Sequence, residues 1–499
     1  MSPRIALKES RIAIFGGVFL AALAIRVVCS FFIGVGTFGP DGTGAEASVT
    51  LGGHPDPLFP ILISFFGGVR GLSAFGGAVT ALACAKMGQR LGGNPLVCGF
   101  MGACAPLLLI PSCMAGGDAP AIAFAASGVA LAWWQKPFFA GLVTGLSLGV
   151  KAIALPLWLL LPAGLFWSQR KAHFSIRLVL GLLPGVLLFH DALHPLLHPR
   201  PESGILGSWW LASDGHLPAL SSLPHMGWSG FLELSTLPTW TGHPFLGALA
   251  MWGCFKARKK AIVAIFLLSM GAMFFTVLPM GDAIRLRYLG PASVGITVLA
   301  GVALKDRKWV PFLFLWPSLA FASQLGNLRA QEEGINPRPS IPFFGAIDAE
   351  PSFEDGGICG GKELRDLAVE LAERLPEGAE VAAIRLRDGR EQELFWKLRL
   401  LRPDLQTTSI QAACCKDNPM SACANQIRSH LYQRGGALVL PLRPESCTTH
   451  LASPSDLELA SGFGLNASPE GRFRLLTWPG QPNTQTGTNA CSAVSIAIP

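Results

Sequence analysis

Four ionisable side chains lie close together in a short segment between two long apolar stretches of the chain. Asp41, Glu46, His54 and Asp56 all fall within residues 38–64, which read FGPDGTGAEASVTLGGHPDPLFPILIS. A carboxylate can take a proton from an acceptor hydroxyl, and a histidine exchanges one near neutral pH. If the apolar stretches cross a membrane, ionisable groups at its edge cost free energy, which makes this segment a candidate site. For Glu46 and Asp56, the alternative of an ordinary solvated loop stays open.

The composition indicates that the apolar stretches do cross a membrane. Hydrophobic residues make up 50% of the 499 residues, charged residues make up 14%, and the mean hydropathy is +0.43. Apolar runs approach the roughly 17 to 25 residues that a bilayer requires, and they recur from Ile12 to about Gln324. The sequence therefore predicts an α-helical polytopic membrane protein with about eleven transmembrane helices. We place them near 12–34, 72–90, 93–113, 119–134, 138–150, 152–168, 177–190, 243–256, 261–280, 290–304 and 309–324.

Basic residues predict the orientation of these spans. Their clusters all lie on one side, and the positive-inside rule makes that side cytoplasmic. The clusters are Arg4, Lys8 and Arg11; Lys86 and Arg90; Lys136; Arg170, Lys171 and Arg177; Lys256, Arg258, Lys259 and Lys260; and Lys305, Arg307 and Lys308. The N-terminus is then cytoplasmic, and an odd number of crossings places the C-terminal part outside. The clusters also account for most of the formal net charge of +7, so membrane lipids, not nucleic acid, are the expected partners.

The chain changes in character after the last predicted span, which divides it into a membrane domain, 1–328, and an extracytoplasmic domain, 329–499. Amphipathic helical patterns at 361–376, 389–401 and 421–435 alternate with apolar strand patterns at 379–386 and 436–442. This alternation predicts an α/β domain with a small parallel or mixed sheet covered by helices. It contains no phosphate-binding or nucleophile motif, so we expect it to recognise an acceptor or give support.

The twelve cysteines divide evenly between the two predicted domains. Six lie in or beside apolar spans, where a thiol usually fills space, and six lie in the external domain: Cys359, Cys414, Cys415, Cys423, Cys447 and Cys491. An even number on the oxidising side of a membrane predicts disulfide bonds, although the spacing does not determine their pairing. A zinc site is the alternative, but the spacing lacks the paired cysteines typical of one.

Four segments resemble, in order, the motifs of the multi-spanning C-type glycosyltransferases. This GT-C superfamily includes the protein mannosyltransferases and the lipid A aminoarabinose transferases. The segments are GPDGTGAEASVTLGGHPDPLFPIL, with Asp41 at the acidic position; SCMAGGDAPAIAFAASGVALA, with Asp118 as a second acid; FFAGLVTGLSLGVKAIALPLWLLLP, with Lys151 as the basic residue; and RLRYLGPASVGITVLA, with Arg287 and Tyr288. The resemblance covers roughly residues 10–325 and implies a GT-C-like fold.

The resemblance implies an enzyme that moves a sugar from a polyprenyl-phosphate donor to a lipid, glycan or protein acceptor outside a bacterial inner membrane. Asp41 is the expected base that receives or attracts the proton of the acceptor, and Asp118 is the second catalytic acid. Glu46 and His54 are expected to contact substrate. The departing phosphate gains negative charge, which cationic groups stabilise. The residues expected to bind it are Lys151, Arg285, Arg287 and Tyr288. No cofactor is expected.

Three alternatives stay open. His190, His194 and His198 recur every fourth residue, as metal ligands on a helix would, but Pro195 interrupts that helix, so a divalent metal is not supported. A transporter or flippase would also have many spans, but it should show a repeat between its halves, and the sequence has no convincing repeat. Gly42, Thr43 and Gly44 stand where the family commonly has further acids, which leaves open an inactive member that serves in envelope assembly.

Overall fold

The structure, a computed structural model, describes the helices of the chain and a small sheet. The described residues are 3–33, 58–66, 68–114, 116–190, 243–257, 260–277, 286–316, 318–319, 322, 361–384, 391–410, 420–441 and 473–478. They fall into two compact units, one made of the residues up to 322 and one made of those from 361 onward. The domain boundary at residues 328 and 329 lies outside the described residues and stays a prediction.

The first unit consists of apolar helices interrupted by short 3-10 turns. The α-helices are α1 (Pro3–Ile33), α2 (Leu58–Phe66), α3 (Val69–Arg90), α4 (Pro95–Cys104), α5 (Pro106–Cys113), α6 (Asp118–Trp133), α7 (Pro137–Leu146), α8 (Leu155–Trp158), α9 (Lys171–Leu188), α10 (His243–Ala257), α11 (Lys260–Val277) and α12 (Leu286–Ala303). The 3-10 turns span Ser147–Gly149, Ala152–Ala154, Leu161–Trp167 and Val310–Phe314. Proline begins α4, α5 and α7, where its missing N–H is not needed.

The described helices include two that are long and apolar enough to cross a membrane as they stand, Ile12–Ser30 and Lys171–Leu188. Two further pairs meet the same test only if each bent pair is one span. These are α2 with α3, bent by 97°, and α4 with α5, bent by 57°. Shorter apolar segments of 10–17 residues are Asp118–Trp133, Pro137–Gly149, Ala152–Trp167, Leu246–Phe255, Ala261–Ala272 and Leu289–Ala303. Most of the predicted spans thus correspond to apolar helices, while the number of crossings stays a prediction.

The segment predicted as a span at 152–168 is not a regular α-helix, so that prediction is wrong in its helix type. Only Leu155–Trp158 is α-helical, and 3-10 turns lie on both sides of it. Pro156 and Pro162 have no N–H to donate, so each removes a bond from the hydrogen-bond ladder of an α-helix. The predicted spans 138–150 and 152–168 are separated at Lys151, and this residue has an extended backbone between two 3-10 turns.

Arg26, which interrupts the first apolar run, is fully buried between helices. One guanidinium nitrogen donates to the carbonyl of Ala22, 2.9 Å away, and the other lies 3.5 Å from the carbonyl of Gly102. The side chain fits because residue 77 is glycine: a Cβ there would strike Arg26 Nε and Ser112. A buried cation that donates to two backbone carbonyls is therefore part of the contact of α1 with α3 and α4.

Two Gly-x-x-x-Gly motifs bring α7 and α9 into backbone contact. Gly141 and Gly145 lie on α7, and Gly181 and Gly185 lie on α9. A Cβ on Gly181 would strike the carbonyl oxygen of Phe138, and one on Gly185 would strike the backbone of Gly145. Small residues allow such close approach, which is how helices associate where apolar burial gives little driving force.

Within its described residues, the second unit is a four-stranded mixed sheet with helices. Its elements are α13 (Gly361–Arg374), β1 (Glu380–Ile384), α14 (Glu391–Leu401), β2 (Gln406–Ile410), α15 (Met420–Arg434), β3 (Gly436–Pro441) and β4 (Phe473–Trp478). The strand order is β2-β1-β3-β4, with β1 parallel to β2 and β3, and β4 antiparallel to β3. Leu371, Val381, Phe395 and Val439 belong to its core. The predicted small mixed sheet is confirmed, although β2 and β4 were not among the predicted strands.

An exposed ion pair caps the C-terminal end of α13 in this unit. The Arg402 guanidinium donates to the carbonyls of Ala372 and Leu375 at 2.9 and 3.3 Å, and it lies 2.8 Å from the Asp404 carboxylate. Asp404 also accepts a 3.0 Å hydrogen bond from the backbone N–H of Gly378. The hydrogen bond from Arg402 and that from Gly378 hold the pKa of Asp404 well below its usual range.

The cysteines of the first unit have free thiols among the described residues: Cys29, Cys84, Cys98, Cys104, Cys113 and Cys254. Of the six in the C-terminal part, Cys423 lies within the described residues, and it is buried. The disulfide bonds expected there stay a prediction.

Candidate active site

Asp118 is the first residue of α6, and the backbone before it is fixed by α3. The Ser73 hydroxyl donates to the carbonyl of Gly116 at 2.8 Å and lies 3.3 Å from its N–H, so both polar groups of Gly116 meet one side chain. Ser73 is fully buried. Two residues later the Asp118 carboxylate lies at the N-terminus of α6, where the helix dipole stabilises negative charge.

Lys151 reaches the same place from a break in the chain. The backbone N–H groups of Val150 and Lys151 both bond to the carbonyl of Ser147, at 3.2 and 2.9 Å, which ends the helical segment that began with α7. Lys151 then has an extended backbone, with φ −174° and ψ 136°. The helix is therefore interrupted at Lys151, and the lysine side chain extends from this interruption in an otherwise apolar segment.

The two charged groups form an ion pair. Lys151 Nζ lies 2.9 Å from Asp118 Oδ1, and the side chains are 21% and 9% exposed. Although this separation is that of an ion pair, Oδ1 is buried and accepts no well-aligned hydrogen bond from the described residues. Asp118 is thus compensated in charge by Lys151.

Gly117 is the point where three elements meet around this pair. A Cβ on Gly117 would lie 3.4 Å from the carbonyl oxygen of Val150, 3.5 Å from the Phe59 ring and 3.6 Å from Lys151 Cδ. Phe59 of α2 and Val150 are buried. The pair therefore lies beside apolar side chains, in surroundings where charge interactions are stronger than in water.

The other predicted site residues are not placed by the described part of the structure. Asp41, Glu46, His54 and Arg285 lie outside it. Arg287 and Tyr288 belong to the first turn of α12, but their side chains are not described. Their roles stay predictions, and the structure brings together one predicted pair, Asp118 and Lys151.

The described residues contain no group of three or more His, Cys, Asp or Glu side chains that could hold a metal ion. His190 Nδ1 lies 3.1 Å from the carbonyl of Leu187, whereas His194 and His198 lie outside the described residues.

Sequence reasoning missed Ser73 and Phe59, because a serine or phenylalanine in an apolar helix carries no distinguishing signal.

Comparison with known proteins gives a structural likeness. No protein-family model matches the sequence, and no curated protein matches it. Among solved structures, the chain is similar to ArnT from Cupriavidus metallidurans bound to undecaprenyl phosphate, with a TM-score of 0.52 and 15% identity over 95% of this chain and 99% of that chain. The apo form of the same ArnT matches with a TM-score of 0.51 and 13% identity, over 94% of this chain and 99% of that chain.

This likeness extends over nearly the whole of both chains, so it includes the helical unit and the small sheet together. At such low identity it establishes the fold and not the reaction. The resemblance predicted from the four sequence motifs is confirmed at this level: the chain has the fold of ArnT, a GT-C aminoarabinose transferase.

Proposed function

We propose that the chain is an integral membrane glycosyltransferase that moves a sugar from a polyprenyl-phosphate donor to an acceptor on the extracytoplasmic side of a bacterial inner membrane. The observation that carries this proposal is the ion pair of Asp118 with Lys151 in an ArnT-like fold. An acid and a base chosen from two separate sequence motifs meet at 2.9 Å, beside buried apolar residues. The undecaprenyl phosphate bound to the similar ArnT supports the donor class.

Lys151 has the chemistry for the leaving group. In the transfer, the bond between the sugar carbon and the phosphate oxygen breaks, and the phosphate gains negative charge. A preorganised ammonium stabilises that charge most where water is scarce. An ammonium has three N–H donors, so contact with Asp118 is compatible with contact to a phosphate oxygen. Arg285, Arg287 and Tyr288 are the further proposed phosphate ligands.

Asp118 has two proposed tasks at this site. Its negative charge holds the Lys151 ammonium in place. A carboxylate has two acceptor oxygens, which suit a hydroxyl or amine of the sugar or the acceptor. The catalytic base is Asp41, which receives the proton as the acceptor oxygen bonds to the sugar carbon, and Glu46 and His54 contact substrate.

Lipid binding tests the phosphate site directly. Purified protein is mixed with undecaprenyl phosphate, and the bound lipid is counted by native mass spectrometry. Lys151→Met should weaken retention by about tenfold or more, the usual effect of losing a hydrogen bond to a charged group. Lys151→Arg should keep most of it. Lys171→Met, which removes an exposed lysine from the start of α9, is the matched control. Equal retention by Lys151→Met and the control would refute the phosphate role.

Sugar transfer tests the base. Asp41→Asn keeps the shape of the side chain but removes the charge that attracts the proton, so transfer from a polyprenyl-phosphate donor in membranes should fall by about a hundredfold or more. Asp56→Asn, in the same segment, should cost much less. Full transfer by Asp41→Asn at normal protein level would mean that this mechanism is wrong.

A further inference from the structure

A second cluster of cationic and aromatic side chains lies at the other end of α3 and α6. Lys86 and Arg90 are one turn apart near the end of α3, and so share one face of it. Trp134 follows the last residue of α6, and its indole N–H donates to the carbonyl of Lys86 at 3.0 Å. Trp167 ends a 3-10 turn, and its ring packs against that of Trp133, with centroids 5.6 Å apart. We call Lys86, Arg90, Trp134 and Trp167 the cationic–aromatic cluster.

Aromatic rings hold both cations of this cluster. The Arg90 guanidinium carbon lies 5.6 Å from the centre of the Trp134 ring and 5.4 Å from that of Trp167. Lys86 Nζ lies 3.6 Å from the centre of the Phe15 ring and 5.8 Å from that of Trp134. Cation–π contacts orient a cation without neutralising its charge. The cluster therefore keeps two positive charges close together.

The Arg90 guanidinium is positioned to bind an anion. Its Nε is buried and has no hydrogen-bond partner within the described ranges. A planar guanidinium fixed by two tryptophan rings presents a donor pattern that matches the oxygens of a phosphate.

Apolar side chains next to the cluster in sequence indicate that the phosphate belongs to a lipid. Phe166 precedes Trp167 and is 51% exposed. Phe138 and Phe139, in the first turn of α7 after Trp134, are 42% and 58% exposed. A free phosphate would make no contact with exposed apolar rings, whereas the acyl chains of a lipid would pack against them. Tryptophans and basic side chains at one level are typical of a membrane interface.

The cluster is distinct from the candidate active site. α6 runs from Asp118 to Trp133, and its 16 residues span about 24 Å. Ser73, which fixes the backbone before Asp118, and Arg90 lie toward opposite ends of α3. We propose that the cationic–aromatic cluster is a binding site for the phosphate headgroup of an anionic phospholipid, on the membrane face opposite to the sugar-transfer site.

Lipid competition tests this site. Protein is reconstituted in nanodiscs of phosphatidylcholine with a minor fraction of phosphatidylglycerol. It is then released from the nanodiscs, and the lipids that stay bound to it are counted by native mass spectrometry. The wild type should retain phosphatidylglycerol in preference to phosphatidylcholine. Arg90→Gln should lower that preference by about fivefold, the contribution typical of one cationic group near an anionic surface. Lys86→Gln should lower it too, and it keeps the test usable if Arg90→Gln fails to fold.

A control variant and a second ligand separate the other outcomes. Lys308→Gln removes an exposed basic residue outside the cluster and should leave the preference unchanged. Inorganic phosphate at millimolar concentration should not displace phosphatidylglycerol from the detergent-solubilised protein. The proposal fails if Lys308→Gln matches Arg90→Gln, because general surface charge would then explain binding. It also fails if phosphate alone displaces the lipid, which would indicate a site for a free anion.

Discussion

Removal of Lys151 should destabilise the protein through the carboxylate that it leaves behind. At 2.9 Å and an effective dielectric constant of about 20, the two charges attract by about 6 kcal/mol, and loss of hydration cancels much of this. Breaking a fully buried pair costs about 3–5 kcal/mol, and an exposed pair contributes about 0–1 kcal/mol. With side chains 21% and 9% exposed, the pair lies nearer the buried limit. We therefore expect Lys151→Met to cost about 2–3 kcal/mol.

The double variant makes the prediction specific to the ion pair. Asp118→Asn leaves a lysine whose long side chain can turn toward water, so it should cost less, about 1–2 kcal/mol. The combined Asp118→Asn, Lys151→Met variant removes both charges and should be more stable than Lys151→Met alone. The free energy of unfolding is measured for all four proteins by denaturant titration in detergent micelles. Costs that add within about 0.5 kcal/mol would refute the coupling.

Further predictions concern the helix contact, the exposed ion pair and the cysteines. Gly181→Ala should cost about 1–3 kcal/mol in the same titration, because its Cβ meets the Phe138 carbonyl; Gly271→Ala, with nothing within 4 Å, should be neutral. Since the pKa of Asp404 is lowered by folding, its stabilisation is present above about pH 4 and lost as pH falls below that. Hydrogen exchange at Gly378 should therefore differ between wild type and Asp404→Asn at pH 7, and the difference should be smaller at pH 3; an equal difference at both would contradict it. Thiol labelling without reductant should find that the six C-terminal cysteines do not react with the label, and six reactive thiols would refute the disulfide hypothesis.

The sequence pattern predicted the apolar helices well where their periodicity was uninterrupted, and less well where prolines act at short range. The residues 152–168 are as apolar as a span, but Pro156 and Pro162 divide them into 3-10 turns, an effect that hydropathy alone does not measure. In the second unit, β2 was missed because Gln406–Ile410 begins with polar, partly exposed residues. The strand is defined by its pairing with β1, which lies 26 residues earlier in the register Glu380 to Gln406.

The candidate site was only partly accessible from the sequence. Asp118 and Lys151 could be chosen because the segments that contain them resemble the motifs of the GT-C superfamily. Their contact could not be predicted, because it depends on the extended backbone at Lys151 and on the turn that Ser73 holds at Gly116. The cationic–aromatic cluster illustrates the same limit. Its basic residues were assigned to membrane orientation, and their stacking on two tryptophans is a tertiary property.

The backbone contact between α7 and α9 restricts how this sequence can change over evolution. A large side chain in an ordinary core can be accommodated by a smaller one opposite, but here the obstacle to a Cβ at Gly181 or Gly185 is the main chain of α7. No substitution on the facing helix removes a carbonyl oxygen. Related chains that preserve this helix spacing should therefore keep glycine on both helices, while chains that lose it should show α9 displaced. The two motifs are expected to be retained or lost together.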